Sequence, residues 1–225
     1  MKKIAFYALL AFIPLLRSCE TDAYDKGEGE YSLMTAELVD AYVGSDKYVT
    51  RVVTDQGDEF TMEPHATAKW IEKADTTYRA LLYFNKVGND KAEAISLGWV
   101  GVLVPRDSIK GGMKTDPLFT ESMWLGKNRR YLNMRLRLLT GTADDEKAQH
   151  SIGVVIDSTT TTKHHVRMKL YHDQGGVPEY YSLITYASIP LANVSADTLT
   201  LVTNTYDGEV SRSFILRSSG SSVAP

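Results

Sequence analysis

Residues 131–139 place Leu132, Met134, Leu136 and Leu138 on one parity and Asn133, Arg135 and Arg137 on the other. A strand puts successive side chains on opposite faces, so this spacing gathers the apolar groups on one side of a half-buried strand. A helix would scatter them. The same period returns at 150–157 and 166–172, and short apolar runs bounded by turn residues follow at 118–124, 181–189, 198–205 and 210–216. These seven short strands, with no helical pattern between them, predict an antiparallel β-sandwich over residues 116–225.

The preceding part of the chain is also cut into short runs. Strands are expected at 32–43, 48–54 and 59–62, joined through Gly44-Ser45-Asp46 and Asp55-Gln56-Gly57-Asp58, both of which are turn chemistry. Residues 64–75 are rich in Ala, Lys and Glu and open with a proline suited to a first helical position, which predicts a short helix. Strands at 78–87 and 92–104, turned at Gly88-Asn89-Asp90, complete the order β-β-β-α-β-β of a five-stranded OB-like barrel over residues 31–105. Gly98 and Gly101 fit the sharp bends of a closing strand. The polar segment 106–115, with Gly111 and Gly112, is read as the linker to the sandwich. The fold class is therefore all-β, a barrel followed by a sandwich.

Lys2 and Lys3 lead an apolar run over residues 4–16 that ends at Arg17-Ser18-Cys19. As a helix this run reaches about 20 Å, short of a roughly 30 Å hydrocarbon core, so residues 1–18 read as a secretory signal peptide. The single cysteine of the chain, Cys19, stands at the boundary with Leu16 three residues before it. That arrangement resembles the lipobox of bacterial lipoproteins, although Arg17 departs from the usual small residue. A lipidated Cys19 would be the mature N-terminus, membrane-bound through its acyl chains, palmitate among them. Residues 19–30, with Glu20, Asp22, Asp25, Glu28 and Glu30 against Lys26, form an acidic tether. It resembles the signal that exports lipoproteins to the outer face of the outer membrane, so an outer-membrane location, facing the surface or the periplasm, is expected.

Further along, Asp116-Pro117-Leu118-Phe119, Trp124-Leu125-Gly126, Tyr131-Leu132-Asn133-Met134, a lone His150 before an apolar strand, and Leu170-Tyr171-His172-Asp173 occur in that order. The set resembles the NigD-like lipoproteins over nearly the whole chain. The resemblance implies a lipobox cysteine, an N-terminal OB domain and a C-terminal β-sandwich. It also implies a role in bacteriocin immunity or export, and it brings no catalytic residues.

Signatures of catalysis are missing: the chain has no H-E-x-x-H, G-x-S-x-G or Walker loop. His150 and His172 share parity with apolar neighbours and should point inward, where two imidazoles fall short of the three or four ligands of a zinc site. They are weak metal candidates, expected as core histidines, and no cofactor is expected. His164-His165 and Asp144-Asp145-Glu146 read as solvated turns. Arg135 and Arg137 lie on one outward face and Arg167 and Lys169 on another; if their strands share a sheet they make a basic ligand face for an anionic glycan. Residues 31–105 carry 7 basic against 11 acidic groups, the wrong sign for nucleic acid. Trp70, Tyr78, Tyr83, Phe84 and Trp99 are expected in the barrel core rather than as a stacking platform. The sequence thus points to a non-enzymatic envelope lipoprotein that binds or shields, with a surface glycan or protein as partner. The alternative is a carbohydrate-binding module acting through exposed aromatics or the basic face.

Overall fold

The computed structural model describes residues 34–145 and 147–217. Cys19, the signal segment and the acidic tether lie outside the described residues, as does Glu146. Among the described residues every element is a strand. β1 (Thr35–Val43), β2 (Val49–Thr54), β3 (Glu59–Ala66), β4 (Thr76–Lys86) and β5 (Lys91–Trp99) close into a barrel of order β1-β2-β3-β5-β4, with β4 returning to β1. Its interior is filled by inward-facing groups such as Val39, Ala41, Val52, Phe60, Met62, Leu82 and Phe84.

The helix expected at 64–75 is not formed. β3 runs on through Pro64 to Ala66, and the following loop is held by tertiary contacts instead of helical hydrogen bonds. Ile71 is buried against the barrel core, Trp70 Nε1 donates to the Leu97 carbonyl at 3.2 Å, and the Tyr78 hydroxyl accepts from the backbone N–H of Glu72 and of Lys73. Helix propensity is worth only tenths of a kcal/mol per residue, and this packing overrides it.

The expected strand 92–104 is divided. After Val100 the chain leaves the barrel, and β6 (Gly101–Val102) pairs in parallel with Ala187 and Ser188. β7 (Phe119–Leu125), β8 (Tyr131–Thr140) and β11 (Tyr181–Pro190) join it in a sheet of order β6-β11-β8-β7. The facing sheet has the order β13-β12-β10-β9, built from β9 (Ser151–Ile156), β10 (His165–Asp173), β12 (Thr198–Thr205) and β13 (Gly208–Ile215). Both sheets are mainly antiparallel, with β10–β12 and β6–β11 as parallel pairs. Leu132, Met134, Leu136 and Leu138 meet Val154, Met168, Leu170, Leu199 and Leu201 in the core between them. The segment 106–115 lies along the second sheet, bridging at Arg106 to Val155 and at Thr115 to His172.

Candidate functional site

The outward parity of β8 and β11 is not wholly solvated. Asn133 and Ser188 are completely buried, because the barrel sits on that end of the sheet. Between the modules lies the guanidinium of Arg79, from β4. It donates to Asp55 Oδ2 at 2.5 Å, to Asn133 Oδ1 at 3.1 Å and to Ser188 Oγ at 3.2 Å, and lies 3.5 Å from Asp40. Asn133 Nδ2 also donates to Asp55 Oδ2 at 2.6 Å, and Arg130 pairs with Asp40 at 2.7 Å. The Tyr131 ring stacks on Arg79 at 4.1 Å, and burial together with the Asp40 carboxylate pushes its hydroxyl up. Two barrel acids, one barrel base and sandwich amide and hydroxyl groups thus meet in a buried junction, where one oxygen of Asp55 is left without a donor. Gly126 permits the approach, since a Cβ there would meet Asp55 Cγ at 3.0 Å. The sequence signal for this cluster is charge within apolar strands: Asp40 between Val39 and Ala41, directly opposite Arg79 on β4.

The basic face is not assembled. Arg135 and Arg137 stand on β8 and Arg167 and Lys169 on β10, in different sheets. Each pair also faces an acid. Arg137 Nε donates to Glu121 at 2.6 Å while Arg135 is 3.6 Å from it; Lys169 and Arg167 lie 3.3 and 3.9 Å from Asp157. Arg137 holds Glu121 below the usual carboxylate range, and the Thr159 hydroxyl and then Lys169 do the same for Asp157. Such exposed pairs contribute little to stability, but they cancel the field a polyanion would need.

The histidines do meet. His172 Nδ1 donates to the Asp116 carbonyl at 2.9 Å, which leaves its Nε2 to accept from His150 Nδ1 at 3.0 Å. Burial and the neighbouring His172 push the His150 imidazole below its ordinary value. Among the described residues no three His, Cys, Asp or Glu side chains gather as a metal site requires. His164 is solvated and paired with Asp197, whereas His165 begins β10 and bonds Thr200.

The aromatic residues are where sequence reasoning missed most. Phe84 is in the core, but Trp99 is 61% exposed. It shares a cleft of roughly 490 Å³ with Trp70, Tyr78, Glu72, Lys73 and Thr76. Trp70 and Tyr78 pack edge to face at 5.5 Å, and the Trp70 N–H is engaged by Leu97, so this wall is fixed in place. The cleft combines rigid apolar rings with an acid, an amine and a hydroxyl, the composition of a small-ligand site.

The chain resembles known structures with the same two-part fold. A NigD-like immunity protein from Bacteroides caccae shares 27% identity and a TM-score of 0.61, over 80% of this chain and 96% of that one. A candidate toxin-related protein from Parabacteroides distasonis has 14% identity and a TM-score of 0.62, over 80% and 92%. A candidate lipoprotein from Bacteroides fragilis has 9% identity and a TM-score of 0.58, over 83% and 99%. No curated protein sequence matches the chain. The model of the NigD-like C-terminal beta sandwich domain matches residues 101–216, from the first residue of β6 to the residue after β13. With more than half of its length matched, the chain belongs to the NigD-like C-terminal β-sandwich family.

Proposed function

We propose that the protein is a non-enzymatic lipoprotein of the outer membrane, anchored through Cys19, that captures glycan in the aromatic cleft of its barrel. The exposure of Trp99 beside the fixed Trp70–Tyr78 pair carries this reading. A pyranose ring presents an apolar C–H face that packs on an indole, and its hydroxyls match the carboxylate of Glu72, the ammonium of Lys73 and the hydroxyl of Thr76. Because Trp99 lies largely in solvent, Trp99→Ala should leave the melting temperature nearly unchanged and weaken binding at least tenfold on an array of neutral oligosaccharides. Equal binding by wild type and variant overturns the assignment. Cys19→Ala should release the protein from the membrane fraction, and an unchanged fraction contradicts the anchor.

A second reading, bacteriocin immunity or export, is favoured by the 27% identity with the NigD-like immunity protein. Challenge of a deletion strain with bacteriocin separates the two, since glycan capture predicts unchanged sensitivity.

A further inference from the structure

The barrel and the sandwich leave a second cleft beside their junction, roughly 270 Å³ in volume and distinct from the Trp99 cleft. Its walls come from both modules: Glu37 of β1, Tyr83 of β4 and Asp55 from the barrel, and Trp124 of β7, Arg135 of β8 and Tyr186 of β11 from the sandwich. Three of these six side chains are aromatic. Arg135 and Tyr186 are direct cross-strand neighbours, as are Arg135 and Ser122, so the guanidinium stands beside a ring on the face turned toward the barrel.

Two features distinguish this cleft from an ordinary seam. Glu37 Oε2 and Asp55 Oδ1 are enclosed and accept no hydrogen bond, although Asp55 is only 5% exposed and its other oxygen is fully used by Arg79 and Asn133. Both residues line the cleft, so their negative field reaches into it although these two oxygens are themselves closed to solvent. On the sandwich side Arg135 shares Glu121 with Arg137 and is the looser of its two partners, at 3.6 Å against 2.6 Å. One wall thus offers acceptors and negative charge, and the opposite wall offers a planar cation suited to a carboxylate.

We propose that this interdomain cleft binds a small dipolar ligand of the α-amino acid class, free or as a short peptide with both ends charged. The ammonium lies toward Glu37 and Asp55, the carboxylate lies on Arg135, and the side chain packs among Tyr83, Trp124 and Tyr186. The volume falls just under the roughly 300 Å³ at which ligand pockets for larger molecules begin, which fits a ligand of one or two residues. Since the walls belong to different modules, the ligand also bridges them.

The test is titration of the full mature protein, by calorimetry and ligand-observed NMR, with L-leucine and leucyl-leucine as zwitterionic probes. Leucine methyl ester lacks the carboxylate and N-acetyl-leucine lacks the ammonium. Binding of either zwitterion, weakened at least tenfold by either blocking group and by Glu37→Gln or Arg135→Gln, supports the proposal. The difference between the two zwitterions tells free amino acid from peptide. Both residues are only partly buried, and circular dichroism with unchanged melting confirms folding. Trp99→Ala should bind the zwitterions like wild type, which keeps this site separate from the glycan cleft. No binding of either zwitterion, or equal binding of the blocked derivatives, overturns it.

Discussion

Replacing Arg79 with Met keeps an unbranched apolar stem in place and removes the cation at the junction of the modules. The surrounding groups respond unequally. Asp40 retains Arg130 at 2.7 Å and so keeps a counter-charge. Asp55 retains only the Asn133 amide at 2.6 Å, and its carboxylate becomes a buried charge without a cationic partner. Breaking a buried pair from one side costs about 3–5 kcal/mol, and for a chain of this size each kcal/mol moves the melting temperature by about 2–4 °C. Arg79→Met should therefore melt roughly 6–20 °C below wild type. Urea unfolding followed by tryptophan fluorescence should give a matching loss of free energy. Adding Asp55→Asn removes the stranded charge, so the double variant should recover about 1–3 kcal/mol relative to Arg79→Met alone. A loss below about 1 kcal/mol in the single variant, or a further loss in the double one, refutes the assignment of Arg79 as the neutralising centre.

Two other perturbations follow from particular contacts. The His150 imidazole is held below its ordinary value of 6.5 by burial and by His172, so folding favours its neutral form; that stability is complete above pH 6.5 and is lost as pH falls through the lowered folded value. His150→Gln should flatten the dependence of melting temperature on pH between about 7 and 5, and an unaltered slope counts against the His150–His172 contact. At Gly175, φ is +60° and a Cβ would collide with the Gln149 carbonyl oxygen, whereas Gly176, at φ +79°, has open space around it. Gly175→Ala should thus cost more than the about 1–3 kcal/mol of backbone strain, and Gly176→Ala only that strain; equal losses in chemical denaturation contradict the steric part.

The sequence was most informative where a local period determines burial. The alternation Leu132, Met134, Leu136, Leu138 identified both the strand and its inward face, and all four are buried. The hairpin between β2 and β3 could be read from its turn residues, because Gly57 takes a positive φ there as such turns require. Periodicity tells which face a side chain takes but not what covers that face. Asn133 and Ser188 have outward parity and are buried by the barrel, while Trp99, expected inside, stands in solvent. The loop at 64–75 shows the same limit, since Leu97 and Tyr78 hold it from positions its own propensity does not encode. The basic face failed for a topological reason: β8 and β10 have like patterns but belong to opposite sheets.

The parallel pairing of β10 with β12 has a kinetic consequence. Between these two strands the chain must cross to the other sheet and lay down β11, which pairs with β8 from Tyr181↔Thr140 to Pro190↔Tyr131. Neither sheet can be completed from a local hairpin alone, and closing such distant contacts exacts loop entropy before any packing is gained. The sandwich should therefore assemble slowly and as one cooperative unit, with its transition state requiring β8 and β11 to find each other before β12 can dock. A chain held partly unfolded would expose β10 as an open strand edge until then, so chaperones that shield such edges would govern its yield.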